Sequence, residues 1–352
     1  MQWYLNLKSK IKKYKLFVGI YEKIMGPIRR IIGLLKKKCV KTRFSYGRSN
    51  RDKVFYIITS EATDCGLFSL VLARVLPFLY VCEKKGYVPI VDFKNTRYHP
   101  MIQEKKDHGK ENPWEYYFEQ PGGQYPLEEV YRSAKVEICN PDKYGYKAVD
   151  WNHMMPMPME GLKYWSGITA KYIHPTKMIM DKIKAEKERL FLGENIMGVS
   201  LRAGYRRHAL LKQEIVKGHP KVADCEYYIK IIQQKMDEWG YDKFFLACDD
   251  REYTTKIFNC FGEKCLYTNR SRMHLFVNDI PVTDDNGKEM MKEYEGINVR
   301  EMTVEYMIET YLLAACESLY STINGSGEFA YIVNGGKYKH FEAYDEGLYQ
   351  EL

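Results

Sequence analysis

Three polar clusters in the second half of the chain combine residue types that can hold and polarise an anion. The first is Ser200-Leu201-Arg202-Ala203-Gly204-Tyr205-Arg206-Arg207, which follows the apolar run Met197–Leu201. An arginine leaving a buried strand beside a glycine can offer its planar, permanently charged fork to a pyrophosphate. If that pyrophosphate departs during reaction, charge grows on it, and such an arginine stabilises the transition state more than the ground state. The alternative is an arginine held in a surface ion pair. The second cluster, Asp249-Asp250, directly follows Phe244–Cys248. Two carboxylates there suit a ribose, a base edge or a metal, and Asp250 equally suits the N-cap of a following helix. The third, Asn324-Gly325-Ser326-Gly327, sits where backbone amides opening a helix can cradle a phosphate. It matches neither the dinucleotide fingerprint nor the phosphate-loop pattern. His219, before Pro220, adds a group that titrates near neutrality, although a lone loop histidine is more often incidental.

These clusters need strands to carry them. Val54–Thr59 and Tyr87–Asp92 read as short buried strands around a helix at Leu67–Lys84, which is a β-α-β unit. From Phe93 to Asn152 the pattern is irregular and aromatic, and Met154–Met159 reads as a linker. A helix is predicted from Pro175 to Leu192. Strands at Met197–Leu201, Lys243–Cys248, Lys264–Tyr267 and Leu319–Ile323 then alternate with helices at Cys225–Trp239, Arg251–Phe261 and Val299–Cys316. Alternation of this kind specifies doubly wound parallel sheets, with ligands beyond the carboxyl ends of the strands.

The 352 residues exceed one ordinary core. The predicted units are a basic segment at 1–50, a first Rossmann-like domain at 51–190 and a second at 191–352. The net charge of +8 is uneven: residues 1–43 hold thirteen Lys or Arg against one acid, Glu22. The remainder is slightly acidic, which argues against nucleic acid as a partner. Leu16, Phe17, Ile20, Ile24, Ile28, Ile31 and Leu34 alternate with those cations as on an amphipathic helix. Lys23, Arg29 and Arg30 interrupt it too often for a membrane span. Residues 1–43 are therefore expected to lie on an anionic membrane surface, or else to pack on the body with a solvated basic face. Nine scattered cysteines without a C-x-x-C pair fit a reducing compartment. No Asp-x-Asp occurs, so no metal and no cofactor are expected.

The order GVSLRAGYR, GHP, YDKFFLACDD and CESLYSTINGSG resembles the donor-binding half of the fucosyltransferase superfamily, including nodulation and core α1,6-fucosyltransferases and bacterial surface-polysaccharide enzymes. GLFSLVLARVLPFLYVCEKKGYVPIVDF and ENPWEYYFEQPGG are similar to the other half, and the resemblance covers residues 53–335. It implies an α/β fold of two facing Rossmann-like domains (GT-B-like) and a metal-independent, inverting glycosyltransferase using GDP-fucose. The acceptor would be an oligosaccharide or lipid-linked glycan, at the inner, cytoplasmic face of the membrane. Arg202 matches the family's β-phosphate arginine, Asp249 and Asp250 its nucleoside aspartates, and Asn324, Gly325, Ser326 and Gly327 its diphosphate loop. His219 and Tyr228 fall on the donor pocket, with Arg206 beside it; Trp114, Tyr116 and Tyr117 would shape the acceptor side by stacking on sugar rings, or equally belong to the core. The chain departs from the pattern at Ala203, Gly204, Tyr205, Cys248 and Glu317. Tyr205 replaces an acid, which also admits a non-catalytic scaffold that binds nucleotide sugar or glycan in a polysaccharide assembly system.

Overall fold

The structure, a computed structural model, describes residues 42–61, 66–96, 112–123, 125–140, 155, 157–210, 216–270, 276–277, 280–281 and 299–350. The amphipathic segment predicted within residues 1–41, and with it Met154 and Pro156 of the predicted linker, lie outside the described residues.

The first sheet is built from β1 (Arg43–Phe44), β2 (Phe55–Ile58), β3 (Val88–Val91) and β4 (Val136–Cys139), in the order β1-β4-β2-β3. The last three run parallel and β1 is antiparallel to β4. Residues 42–50, grouped with the basic tail in the sequence, instead run along this sheet. Tyr46 donates its amide to Ser133, and Ala134 donates to Ser49. On β2 the side chains part with period two: Tyr56 and Ile58 enter the large core, and Phe55 and Ile57 a smaller one. With both faces covered, the strand has no polar side, as parallel sheets require.

After β2 the chain forms α1 (Leu67–Leu70), a π-helical turn at Val71–Val75 and α2 (Leu76–Lys85). Gly86 closes α2 in the left-handed region, with Lys84 and Lys85 in its last turn. α3 (Leu127–Val130) leads to β4. Two helices follow, α4 (Met159–Tyr172) and α5 (Lys177–Phe191). In the predicted linker, Met155 and Met157 are buried, and Pro158 caps α4. The described residues of the linker are therefore a packed entry into a helix.

The second sheet holds β5 (Met197–Leu201), β6 (Phe244–Cys248), β7 (Cys265–Leu266), β10 (Ser318–Thr322) and β11 (Phe341–Tyr344). All are parallel, in the order β11-β10-β5-β6-β7. A short antiparallel pair, β8 (Phe276–Val277) with β9 (Ile280–Pro281), stands apart. The helices are α6 (Gly204–Leu210), α7 (Cys225–Trp239), α8 (Arg251–Phe261), α9 (Val299–Ala315) and α10 (Gly325–Asn334). The largest core is continuous from β2 and α1 through α9 and α10 to Phe245 and Leu319 of this sheet. No helix among the described residues is long and apolar enough to cross a membrane.

Candidate functional site

In the second sheet, β5 continues to β6 on one side, and the chain later returns to place β10 on the other. The crevice between β5 and β10 is therefore a topological switch point, where helices diverge to opposite faces and leave room for a ligand. Arg202 and Asn324 both stand there.

Arg202 is anchored at its backbone. Its amide donates to Thr322 Oγ1 at 2.9 Å, and that hydroxyl donates to the Ser200 carbonyl at 3.2 Å. Its guanidinium pairs with Asp249 Oδ2. The Arg202 side chain remains 38% exposed, whereas that of Asp249 is 12% exposed. Asp249 Oδ1 accepts the amides of Ala203 at 2.7 Å and Gly204 at 3.3 Å. Both carboxylate oxygens are thus committed to the turn after β5. Asp249 aims the arginine and shapes that turn. Asp250 takes the N-cap role, accepting the Tyr253 amide at 3.0 Å to open α8.

Asn324 caps α10. Its side-chain oxygen accepts the Gly327 amide at 2.9 Å, while its nitrogen donates to Thr322 Oγ1 at 3.0 Å and Ser200 Oγ at 3.2 Å. One side chain therefore ties the helix start to the ends of both β5 and β10. Gly325 and Gly327 are glycine because of close approach: a Cβ on Gly325 would strike Ser69 of α1, and one on Gly327 would strike Ser321. Ser326 shares a hydrogen bond of 2.6 Å with Thr310 of α9. The first turn of α10 thus faces the crevice with its dipole's positive end, beside a guanidinium.

His219 belongs to the same neighbourhood. Burial first, and then the charge of Arg202, hold its imidazole below the usual value near 6.5, which favours the neutral form. Its backbone is fixed by amide and carbonyl bonds to Val216 and Tyr349. Arg206 turns away toward α7 and β11, 3.5 Å from the Val222 carbonyl. There its charge acts on Tyr344, whose hydroxyl burial pushes up to about 12. Tyr228 is fully buried, and its hydroxyl accepts the Ala223 amide at 3.2 Å, so it is a core residue.

Trp114, Tyr116 and Tyr117 also prove to be core. Trp114 and Tyr117 are fully buried, Trp114 stacks on Phe118 with centroids 4.5 Å apart, and its indole N–H donates to Glu119. With no ring face toward solvent, these residues cannot stack on a sugar, and the acceptor-side expectation is corrected accordingly.

Three residues join the site that pattern reading missed. Arg270 pairs with Glu309 at 2.7 Å, and Glu309 also accepts the Thr268 hydroxyl at 2.6 Å. The Arg270 guanidinium lies 5.1 Å from the Tyr306 ring centre. Burial pushes the Tyr306 hydroxyl up to about 12, while the nearby charges of Arg202 and Arg270 pull it down and Asp249 pushes it up. Two guanidinium groups and a carboxylate therefore act on one tyrosine. A signal existed: Glu309 lies within the apolar stretch Tyr306–Cys316, and a buried acid needs a cation. Glu317, where the family pattern has Asp, precedes β10 and accepts the Tyr241 hydroxyl at 2.6 Å. That departure lies at the strand end opposite the crevice. Among the described residues no group of three or more His, Cys, Asp or Glu could hold a metal ion.

No protein-family profile matches the chain, and no curated protein matches it. Solved structures similar to it include fucosyltransferase NodZ from Bradyrhizobium, at 13% identity and a TM-score of 0.42, covering 79% of this chain and 91% of that one. POFUT1 in complex with GDP is similar at 12% identity and a TM-score of 0.41, covering 82% and 97%. A variant of Arabidopsis thaliana FUT1 in complex with GDP is similar at 10% identity and a TM-score of 0.44, covering 84% and 71%.

Proposed function

We propose that the chain is a glycosyltransferase that binds a nucleoside-diphosphate sugar at the β5–β10 crevice and passes the sugar to a glycan acceptor. The observation that carries this reading is Arg202: part-exposed, anchored to Thr322, aimed by Asp249, and set beside the capped start of α10. That pairing of a fixed cation with a helix N-terminus suits a diphosphate, and it suits best a diphosphate that gains charge as the sugar leaves. Arg270, neutralised by the buried Glu309, braces the site through the Tyr306 ring. The motif order from Arg202 to Gly327 supports GDP-fucose as the donor and an inverting, metal-independent transfer between two facing domains, the first ending near residue 190. The same motifs support a role in surface-polysaccharide synthesis, where residues 1–43 would hold the chain at the inner face of the membrane.

The deciding experiment is calorimetric titration of the full chain with GDP, UDP, dTDP and CMP, followed by assay of GDP-fucose turnover with and without EDTA. Selective GDP binding is expected, weakened about 10- to 100-fold in Arg202→Ala through loss of a charged hydrogen-bonding partner. Turnover is expected to be unchanged by EDTA. Wild-type affinity in Arg202→Ala would remove the diphosphate assignment, and inhibition by EDTA would remove the metal-free one. Tight GDP binding without turnover on any glycan would favour the non-catalytic scaffold.

A further inference from the structure

The first sheet repeats the geometry of the second. β2 continues to β3 on one side, and the chain returns to set β4 on the other, so a second switch-point crevice opens between β2 and β4. A cavity of about 180 Å³ lies there, at the carboxyl ends of all three parallel strands. Its lining mixes apolar surface, Ile138 among it, with polar groups: Glu61 follows β2, Asp92, Lys94 and Asn95 follow β3, Asn140 follows β4, and Tyr131 leans in from the turn after α3.

Three of these groups, Asp92, Lys94 and Tyr131, hold one another in place. The Asp92 side chain is 1% exposed. Its Oδ1 accepts the Lys94 amide at 3.0 Å, and its Oδ2 accepts the Tyr131 hydroxyl at 2.7 Å and lies 3.5 Å from Lys94 Nζ. Lys94 Nζ in turn sits 4.5 Å from the centre of the Tyr131 ring. Asp92 therefore fixes a hydroxyl and an ammonium at the cavity wall. Two carboxylates against one ammonium make the cavity unsuited to a phosphate, which separates it in kind from the Arg202 site. Carboxylates, amides and a hydroxyl converging on a small space suit a neutral ligand rich in hydroxyl groups. The volume, below the roughly 300 Å³ of cavities for drug-sized ligands, fits one sugar ring.

The cavity is also tied to the donor crevice. The segment that carries Glu61 out of β2 leads to α1, whose Ser69 abuts Gly325 in the first turn of α10. Tyr306, which feels both arginines, has its hydroxyl beside Gly66 in the same connection.

We infer that the crevice between β2 and β4 binds a neutral pyranose ring of the acceptor glycan through Glu61, Lys94, Asn95, Tyr131 and Asn140, with Asp92 positioning Lys94 and Tyr131. Calling that sugar the acceptor rests on the transferase reading above; the binding itself does not. The test is ligand-observed NMR on the full chain with methyl pyranosides of glucose, galactose, mannose, fucose and N-acetylglucosamine, and with inorganic phosphate as the anionic control. At least one glycoside should bind and phosphate should not displace it. Glu61→Gln and Asn140→Ala should each weaken it about tenfold while GDP affinity stays at the wild-type value. Circular dichroism melts establish that each variant is folded. Absence of binding by every glycoside, equal binding in the variants, or displacement by phosphate would overturn the inference while leaving GDP binding intact. Glycoside binding that responds to the variants, in a chain that binds no GDP, would uphold the pocket and remove the donor assignment instead.

Discussion

Asp249 spends both oxygens inside the protein, and that decides what it can contribute. It accepts two backbone amides from the turn after β5 and pairs with the guanidinium that leaves the same turn. An arginine on a flexible stem loses side-chain entropy when it is fixed on a ligand; one already fixed has lost it beforehand. Asp249→Asn keeps the shape and removes the charge, so Arg202 is freed without being deleted. GDP affinity should fall about tenfold, less than in Arg202→Ala, and calorimetry on the two variants side by side measures the difference. Equal losses in both would mean that Asp249 touches the nucleotide itself. The pattern Arg-Ala-Gly followed by Asp-Asp was visible in the chain, as was the cap at Asp250. That Asp249 would face Arg202 was not, because 46 intervening residues separate them and only the parallel pairing of β5 with β6 brings their ends together. The same holds for Arg270 and Glu309, which meet only once α9 packs beneath the sheet.

At the scale of elements, legibility followed burial. β2, β3, β5, β6 and β10 are largely buried; β2, β3 and β6 read as unbroken apolar runs, while β5 and β10 carry the buried hydroxyl residues Ser200, Ser318, Ser321 and Thr322. β4 escaped because Val136-Glu137-Ile138-Cys139 carries a charge, Glu137, which pairs with Arg43 of the edge strand. β11, Phe341-Glu342-Ala343-Tyr344, is a half-buried edge and was missed for the same reason. α4 hid behind Gly161 and Gly167, poor helix formers that tertiary packing overrode. The close contact of α10 with α1 is the element-level feature most open to test. Gly325→Ala would force a methyl into Ser69 and part the two helices at the donor turn. Stability should drop by about 1–3 kcal/mol, as for other overpacked sites, seen as a lower urea midpoint with an unchanged slope. The double variant with Ser69→Gly should recover part of it. An unshifted midpoint in Gly325→Ala would show that the helices yield at no cost.

Across the whole molecule, charge and core are distributed very differently. The core is shared: residues of both large sheets meet in one cluster through α9 and α10. The charge is concentrated, with thirteen cations in the first 43 residues and a slight acidic excess everywhere else. A polybasic segment near anionic lipid contributes about 1 kcal/mol per cation, and it is screened by salt. A chain beginning at residue 44 should therefore no longer cosediment with phosphatidylserine-containing vesicles, whereas the full chain should do so and be released as salt rises. Its GDP affinity should be unchanged. Persistent vesicle binding by the shortened chain would place the membrane-facing surface on the body.

The π-helical turn at Val71–Val75 gives the connection between α1 and α2 one residue more than a regular helix would use. Each residue of an α-helix advances the side-chain direction by about 100°. The turn therefore acts as a gear offset: it lets Leu76, Phe78 and Leu79 of α2 point into the core while Ser69 still meets Gly325. Deleting one residue within it would yield a smoother helix and a worse protein, because either the core side or the donor side would fall out of phase. Natural length variation in this stretch should accordingly come in whole helical turns, not in single residues.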